Sequence, residues 1–404
     1  MSNIRFKTGL ILFIVLISNI VRADGWEITE NGKMYKYNGE YITDHIIRDG
    51  QDLYYMNEDG IMVKNDWIEY RDNWYYANSN GLLYKSNKYI IKNKAYYFDD
   101  EGKMLTGWIN DTYYANEDGS LVTGFQDLVY PKEWNVDDEI KNNNEGWFFF
   151  GGDYKKVCSD NDFYTVRAIG NDRYCFDQNG IMRTGWRVIK ETEPVMAGYM
   201  YFSELENDDF KYGTAISNSW YAIDLPDEIM AGGIIRYFYF TPTGYLKCAK
   251  PGGYIQVKIN KKTYLFNEYG YAVYGIRKVD NEYYYYGNSD ADCSMRTGKY
   301  TIEDSTGTRY HYYFKDNGEG FTGVYQNKLY YKGLLQVAGE YTKYEAFKVD
   351  GVVRLVNESG TVMKNKKLVK DASGTVWSTN GTGIVTYTDE GIINEPSLPL
   401  VMED

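Results

Sequence analysis

Cysteine, histidine and proline are all scarce in this chain of 404 residues. Four cysteines (Cys158, Cys175, Cys248, Cys293) and two histidines (His45, His311) are its whole stock of thiol and imidazole metal ligands. No two cysteines form a C-x-x-C pair and neither histidine lies in a motif, so the spacing of a zinc or dithiol redox site is missing. Four cysteines allow three pairings. Cys158 and Cys175 are near enough in sequence to bridge neighbouring units in an oxidising compartment, and buried unpaired thiols are the alternative. Catalytic signatures are missing too: there is no Gly-x-Ser-x-Gly elbow, no H-E-x-x-H and no Cys/His constellation. Acidic pairs such as Glu58-Asp59 and Asp99-Asp100 lie beside glycines, where turn-forming Asp is ordinary. General acid–base work needs two carboxyls facing a cleft. The nearest approach to a calcium loop, Asn288-Ser289-Asp290-Ala291-Asp292, has Cys293 where Gly is needed and Lys299 where Glu is needed, and reads as a solvated turn. We expect a non-enzyme, with no catalytic residue, no metal and no cofactor.

Positive charge is also in deficit. Lysine and arginine number 44 against 57 acidic residues, a net charge of −13. Nucleic acid is bound by neutralising its phosphates with Lys and Arg, so it is not an expected partner. A cationic or neutral ligand suits the balance better, although net negative charge also keeps an aromatic-rich surface soluble. Long apolar runs are confined to the start. Arg5 and Lys7 precede an apolar stretch over 9–20, and Val21-Arg22-Ala23 fits small-residue cleavage, so residues 1–23 read as a signal peptide. That stretch is shorter than the roughly 20 residues of a comfortable membrane span. The expectation is a secreted, extracellular chain from Asp24, without a membrane span.

Tyrosine and glycine are abundant, at 44 and 40 residues, and they recur together. Tyr54-Tyr55-Met56-Asn57-Glu58-Asp59-Gly60 returns as a run from Trp74-Tyr75-Tyr76 to Gly81, from Tyr96-Tyr97-Phe98 to Gly102, and from Tyr113-Tyr114 to Gly119. The glycines stand 21, 21 and 17 residues apart. A fixed period near twenty means a stack of similar units. Each unit reads as a β-hairpin: Trp67-Ile68-Glu69-Tyr70, a tight turn at Arg71-Asp72-Asn73, then Trp74-Tyr75-Tyr76-Ala77. A lone hairpin is marginal in water, so its aromatic face must be buried on the next one, giving an all-β solenoid with almost no helix. Regular units are expected over 24–125, degenerate units with longer loops over 126–393, and a flexible tail over 394–404.

The connector Gly102-Lys103-Met104-Leu105-Thr106-Gly107-Trp108, with its versions from Gly119 to Phe125 and Gly180 to Trp186, resembles the cell-wall-binding repeat of choline-binding proteins. Glucan-binding and clostridial-toxin repeats are relatives. The resemblance spans roughly residues 26–390. It implies hairpins that hold a ligand between consecutive units, in an aromatic cage for a quaternary ammonium group. One ring comes from the Gly-Trp position, one from the start of the Trp-Tyr-Tyr strand and one from the following hairpin. Carried onto this chain, the resemblance implies Trp67, Trp74 and Tyr97 as a cage with Met104 beside it, and Trp108 as the start of a second. There Thr112 replaces the strand-opening Trp, and in the first cage Asp66 precedes Trp67 instead of Gly. The implied partner is a choline-bearing cell-wall polymer or an extracellular glycan. The competing readings are an adhesin or toxin-like module for a host glycoprotein, and a structural spacer.

Overall fold

A computed structural model describes residues 24–136, 144–160, 164–207, 210–226, 229 and 233–401. The expected signal peptide lies outside the described residues, as do residues 137–143 of the polar run that interrupts the repeat and 402–404 of the tail. Antiparallel β-hairpins follow one another along the described chain, and one 3₁₀ turn, Val195–Gly198, is the helical content among these residues. No helix there is long and apolar enough to cross a membrane.

The Trp67 hairpin shows why the sequence folds this way. Its strands are Asp66–Tyr70 and Asn73–Ala77. The two turn residues, Arg71 and Asp72, have φ of +48° and +61°, and a turn with both central residues left-handed twists as the flanking strands do. The Asn73 side chain holds this turn by donating to the Arg71 carbonyl at 2.7 Å. Lys92 and Asn93 make the same turn in the next hairpin, between Asn87–Ile91 and Lys94–Phe98. Two-residue turns fix the register, which pairs Trp67 with Tyr76, Ile68 with Tyr75 and Glu69 with Trp74.

The polar end of each cassette closes the unit. The Asn78 carboxamide oxygen accepts the amides of Asn80 and Leu82, and its carbonyl accepts the Gly81 amide. The chain then reaches back to the preceding hairpin with one backbone hydrogen bond. Met62 N–H donates to Lys33, Leu83 to Leu53, Met104 to Trp74, Leu121 to Ala95 and Lys156 to Thr112, each at 2.8 Å. Gly102 sits at the foot of such a connection with φ of +81°, where an added Cβ would lie 3.1 Å from the Tyr84 carbonyl oxygen.

Two compact units result, Met1–Val129 with Trp147–Val157 and Tyr130–Gly146 with Cys158–Asp404. Among the described residues the first has no single core. Its hairpins bury a series of small clusters, such as Leu53, Tyr55, Ile68, Tyr75, Ala77 and Leu83. In the second unit the two-stranded pattern gives way to a five-stranded sheet, in the order Gly298–Glu303, Arg309–Phe314, Leu334–Leu335, Lys328–Tyr331 and Gly323–Tyr325.

One expectation is corrected here, and one alternative left open is resolved. The described part of the tail is tied down at its start instead of fraying from Asn394: Ile393–Asn394 pairs in parallel with Ala346 and Phe347. Beyond it, buried Gln336 accepts from the Ser397 amide at 2.8 Å and donates to its carbonyl at 3.1 Å. A buried carboxamide needs such partners. The bridge between Cys158 and Cys175 is not formed, and all four thiols are free. Cys175 is buried with Met200 and Phe202 whereas Cys158 is exposed. Burial raises the Cys175 thiol well above its ordinary range and pushes Cys248 up to about 12, so neither is a thiolate at neutral pH.

Candidate site between hairpins

One position on the first strand of every regular hairpin faces the next hairpin. Trp26, Ile46, Trp67, Lys88 and Trp108 occupy it, opposite Tyr35, Tyr55, Tyr76, Tyr97 and Tyr114. Successive residues of a strand point to opposite faces, so each aromatic doublet serves two junctions. Its second ring stays with its own hairpin, and its first ring turns back to meet the hairpin before. Trp67 accordingly packs edge-on to Tyr76 at 5.2 Å between centroids and to Tyr96 of the next hairpin at 4.8 Å. Trp26 does the same with Tyr35 (5.1 Å) and Tyr54 (4.8 Å), and Trp108 with Tyr114 (5.3 Å) and Phe148 (4.9 Å). In the second unit Trp186 meets Tyr201 and Phe238, and Trp220 meets Tyr239 and Tyr264.

The structure brings together three of the five residues implied by the resemblance. Trp67 and Trp74 stand 6.4 Å apart at 80°, and Met104 packs on the same cluster. Tyr97 is not with them. It is the second ring of its doublet, so it faces the following junction and packs on Tyr113 at 5.5 Å. The ring that the next hairpin lends to Trp67 is Tyr96, backed by Phe98 at 6.1 Å. Trp108 belongs to a separate junction two hairpins on, and its Nε1 donates to the Val129 carbonyl. Tyr76, Tyr96 and Phe98 are members that motif matching passed over. The two-residue turn at Arg71-Asp72 was the signal for Tyr76, since it sets Tyr76 opposite Trp67.

Around this group, Tyr84 stacks on Tyr76 at 5.5 Å and on Tyr89 at 3.9 Å, closing one flank. Trp74 is 42% exposed, which leaves the other flank to solvent. Burial raises the Tyr76 hydroxyl, as do Tyr84 and the Asp66 carboxylate. Asp66 is exposed at the start of the strand and accepts the Trp67 amide at 2.9 Å. Lysine or arginine lies over the rings of Trp26, Tyr41, Tyr54, Tyr70, Trp108, Tyr113 and Tyr154 in the first unit. Among the described residues none lies over Trp67, Trp74, Tyr76 or Tyr96. An aromatic group with an adjacent carboxylate and no cation of its own can take a soft cation from solution. A second-unit groove of about 490 Å³ is lined by Lys299, Tyr300, His311, Lys328, Tyr330 and Glu358, so charges of both signs face it. No three His, Cys, Asp or Glu side chains gather as metal ligands among the described residues, and Asp292 is paired with Arg296.

No protein-family model matches the chain, and no curated protein matches it. Solved structures similar to it include choline-binding protein F from Streptococcus pneumoniae, at 19% identity and a TM-score of 0.41, covering 80% of this chain and 98% of that one. CbpJ from Streptococcus pneumoniae TIGR4 follows at 18% identity and 0.41, covering 80% and 99%. The modular autolysin LytC from Streptococcus pneumoniae is similar at 17% identity and 0.24, covering 68% and 53%. Choline-binding proteins are thus among the structural neighbours of this chain.

Proposed function

We propose that the chain is a secreted, non-catalytic protein that attaches to the bacterial cell surface by binding choline-type quaternary ammonium groups of a wall polymer. The observation that carries this reading is the Trp67 junction, where Trp67, Trp74, Tyr76 and Tyr96 converge beside Asp66 with no internal cation. A quaternary ammonium group has no N–H to donate, so ring faces suit it better than hydrogen-bond acceptors. Each such contact contributes about 0.5–2 kcal/mol. A few of them give a dissociation constant on the order of millimolar for one isolated group. A polymer with many copies would hold far more tightly, since linked binding gains two to four orders of magnitude without a new contact.

Calorimetric titration with choline tests the reading, with a soluble α-glucan as comparator. Heat with choline that disappears in the double variant Trp67→Ala/Trp74→Ala is the expected result. Heat with glucan alone would replace the ammonium reading by a glycan one, because ring faces also stack on sugars.

A further inference from the structure

Three other junctions of the first unit, at Trp26, Lys88 and Trp108, occupy the same place in their hairpins as the Trp67 site but differ in what lies on their rings. At the first, Lys33 stands two residues before Tyr35, where Trp74 stands two residues before Tyr76. Its Nζ lies 3.9 Å from the centre of the Trp26 ring and 5.8 Å from that of Tyr54. After the Trp67 site, Lys88 occupies the Trp67 position itself, opposite Tyr97. Its Nζ lies 4.8 Å from the Tyr154 ring and 5.6 Å from Tyr113, and it donates to the Asp153 carbonyl at 2.7 Å. At the Trp108 junction, Lys156 stands six residues after Phe150, as Met104 stands six after Phe98. Its Nζ lies 5.3 Å from the Trp108 ring. All three lysines are half-buried.

Three junctions therefore each have a different cage member replaced by lysine, and each time the ammonium ends over ring faces. We propose that the Trp67 junction is an open ammonium site and that the Trp26, Lys88 and Trp108 junctions are closed from within, Lys33 being the residue that closes the Trp26 site. The proposal rests on the reading of Trp67 as an ammonium site. A tethered ammonium is present at the effective concentration of a short linkage, millimolar or above. It therefore outcompetes an external ligand of weak intrinsic affinity. The tethered group can also add a hydrogen bond, as Lys88 does to Asp153, which a quaternary ligand cannot. Lysine placement thus sets how many ligands the array accepts and where.

Indole N–H resonances of the whole chain, followed by NMR during choline titration, test this. In the unmodified chain the Trp67 signal should move and the Trp26 signal should not. In Lys33→Trp, which restores the residue type found at Trp74, the Trp26 signal should move as well, with an apparent affinity at least tenfold above that of the same position in the unmodified chain. Lys33→Gln, which keeps a polar stem without the charge, is the second variant should the indole not fit, and the same gain is expected. A further readout needs no ligand: the Lys33 ε-protons should lie upfield of those of exposed lysines through the Trp26 ring current. Movement of Trp26 in the unmodified chain alongside Trp67, or unshifted Lys33 ε-protons, would overturn the proposal and leave the Trp67 reading standing. An immobile Trp67 signal with upfield Lys33 protons would overturn the ligand reading and leave Lys33 as the occupant of its ring cluster.

Discussion

The Trp26 and Trp67 junctions are nearly superposable in their ring contacts. Each tryptophan meets its cross-strand tyrosine at 5.1–5.2 Å and the next hairpin's ring at 4.8 Å, all edge-on. They differ in what surrounds those rings: Lys33 stands where Trp74 does and lies over the indole, Gly25 stands where Asp66 does, and the Trp26 Nε1 donates to Asp49 at 2.8 Å. Register and turn type fix where the rings stand, because a two-residue turn leaves the strands no alternative pairing. Whether the rings carry a cation of their own depends on side chains around them, Lys33 at Trp26 and none at Trp67 among the described residues. Architecture and binding capacity are thus specified by different residues, and one can vary without the other.

The comparison breaks most severely at the backbone. Gly102→Val places a β-branched residue at φ of +81° against the Tyr84 carbonyl, a strain of about 1–3 kcal/mol. It should lower the melting temperature by several degrees and abolish choline binding, since Tyr84 flanks Tyr76, while the Lys33 ε-protons at the Trp26 junction keep their shifts. An unchanged melting curve would mean that the turn is wrongly placed. Side-chain deletion comes next. Trp67→Ala should reduce choline affinity at least tenfold, the size of one or two ring contacts, whereas Trp26→Ala should leave the heat of choline binding intact and lower only the melting temperature. Equal loss of choline binding in both variants would erase the distinction between the junctions. Smaller again is the contrast within one doublet: Tyr96→Leu should weaken choline several-fold and Tyr97→Leu should not, as read by the same titration.

The smallest expected effect lies at the neighbouring junction, which Lys94 and Asp118 span with an ion pair at 2.9 Å. Hydrogen bonds from Ser120 and Lys94 hold the Asp118 carboxyl at about 2, below its ordinary 3.8. A folded-state value below the unfolded one means that the ionised form supports the fold. This contribution is complete above about pH 4 and is lost as pH falls toward 2. Both side chains are more than half exposed, so solvent screening leaves well under 1 kcal/mol. Asp118→Asn should remove that part of the acid destabilisation in a pH series of melting curves, and an unaltered series would show the pair to be without effect.

The hairpins, their turns and the near absence of helix were legible because tyrosine doublets, Asx residues and glycines repeat with a period the backbone needs. Trp67, Trp74 and Met104 are placed together by the resemblance to the cell-wall-binding repeat, not by the period itself. Tyr97 could not be told from Tyr96 by motif, since adjacent rings are chemically alike and differ only in which face the pleat assigns them. The occupancy of the other junctions was hidden for a different reason. Lys33, Lys88 and Lys156 are ordinary surface residues in composition, and only their positions relative to neighbouring hairpins turn them toward rings. The anchored tail depends on Gln336 meeting Ser397 across 61 residues, a pairing without any local signature.

The single backbone hydrogen bond that ties each hairpin of the first unit to its predecessor has a mechanical consequence. A chain pulled by its ends would not yield all at once. Each junction is a separate small bond with its own ring contacts, so hairpins should peel off in turn. Every release would free about 20 residues, or roughly 70 Å of slack at about 3.4 Å per residue. Such a tether pays out length in fixed steps and keeps force low, while the hairpins still folded hold whatever the Trp67 rings have gripped.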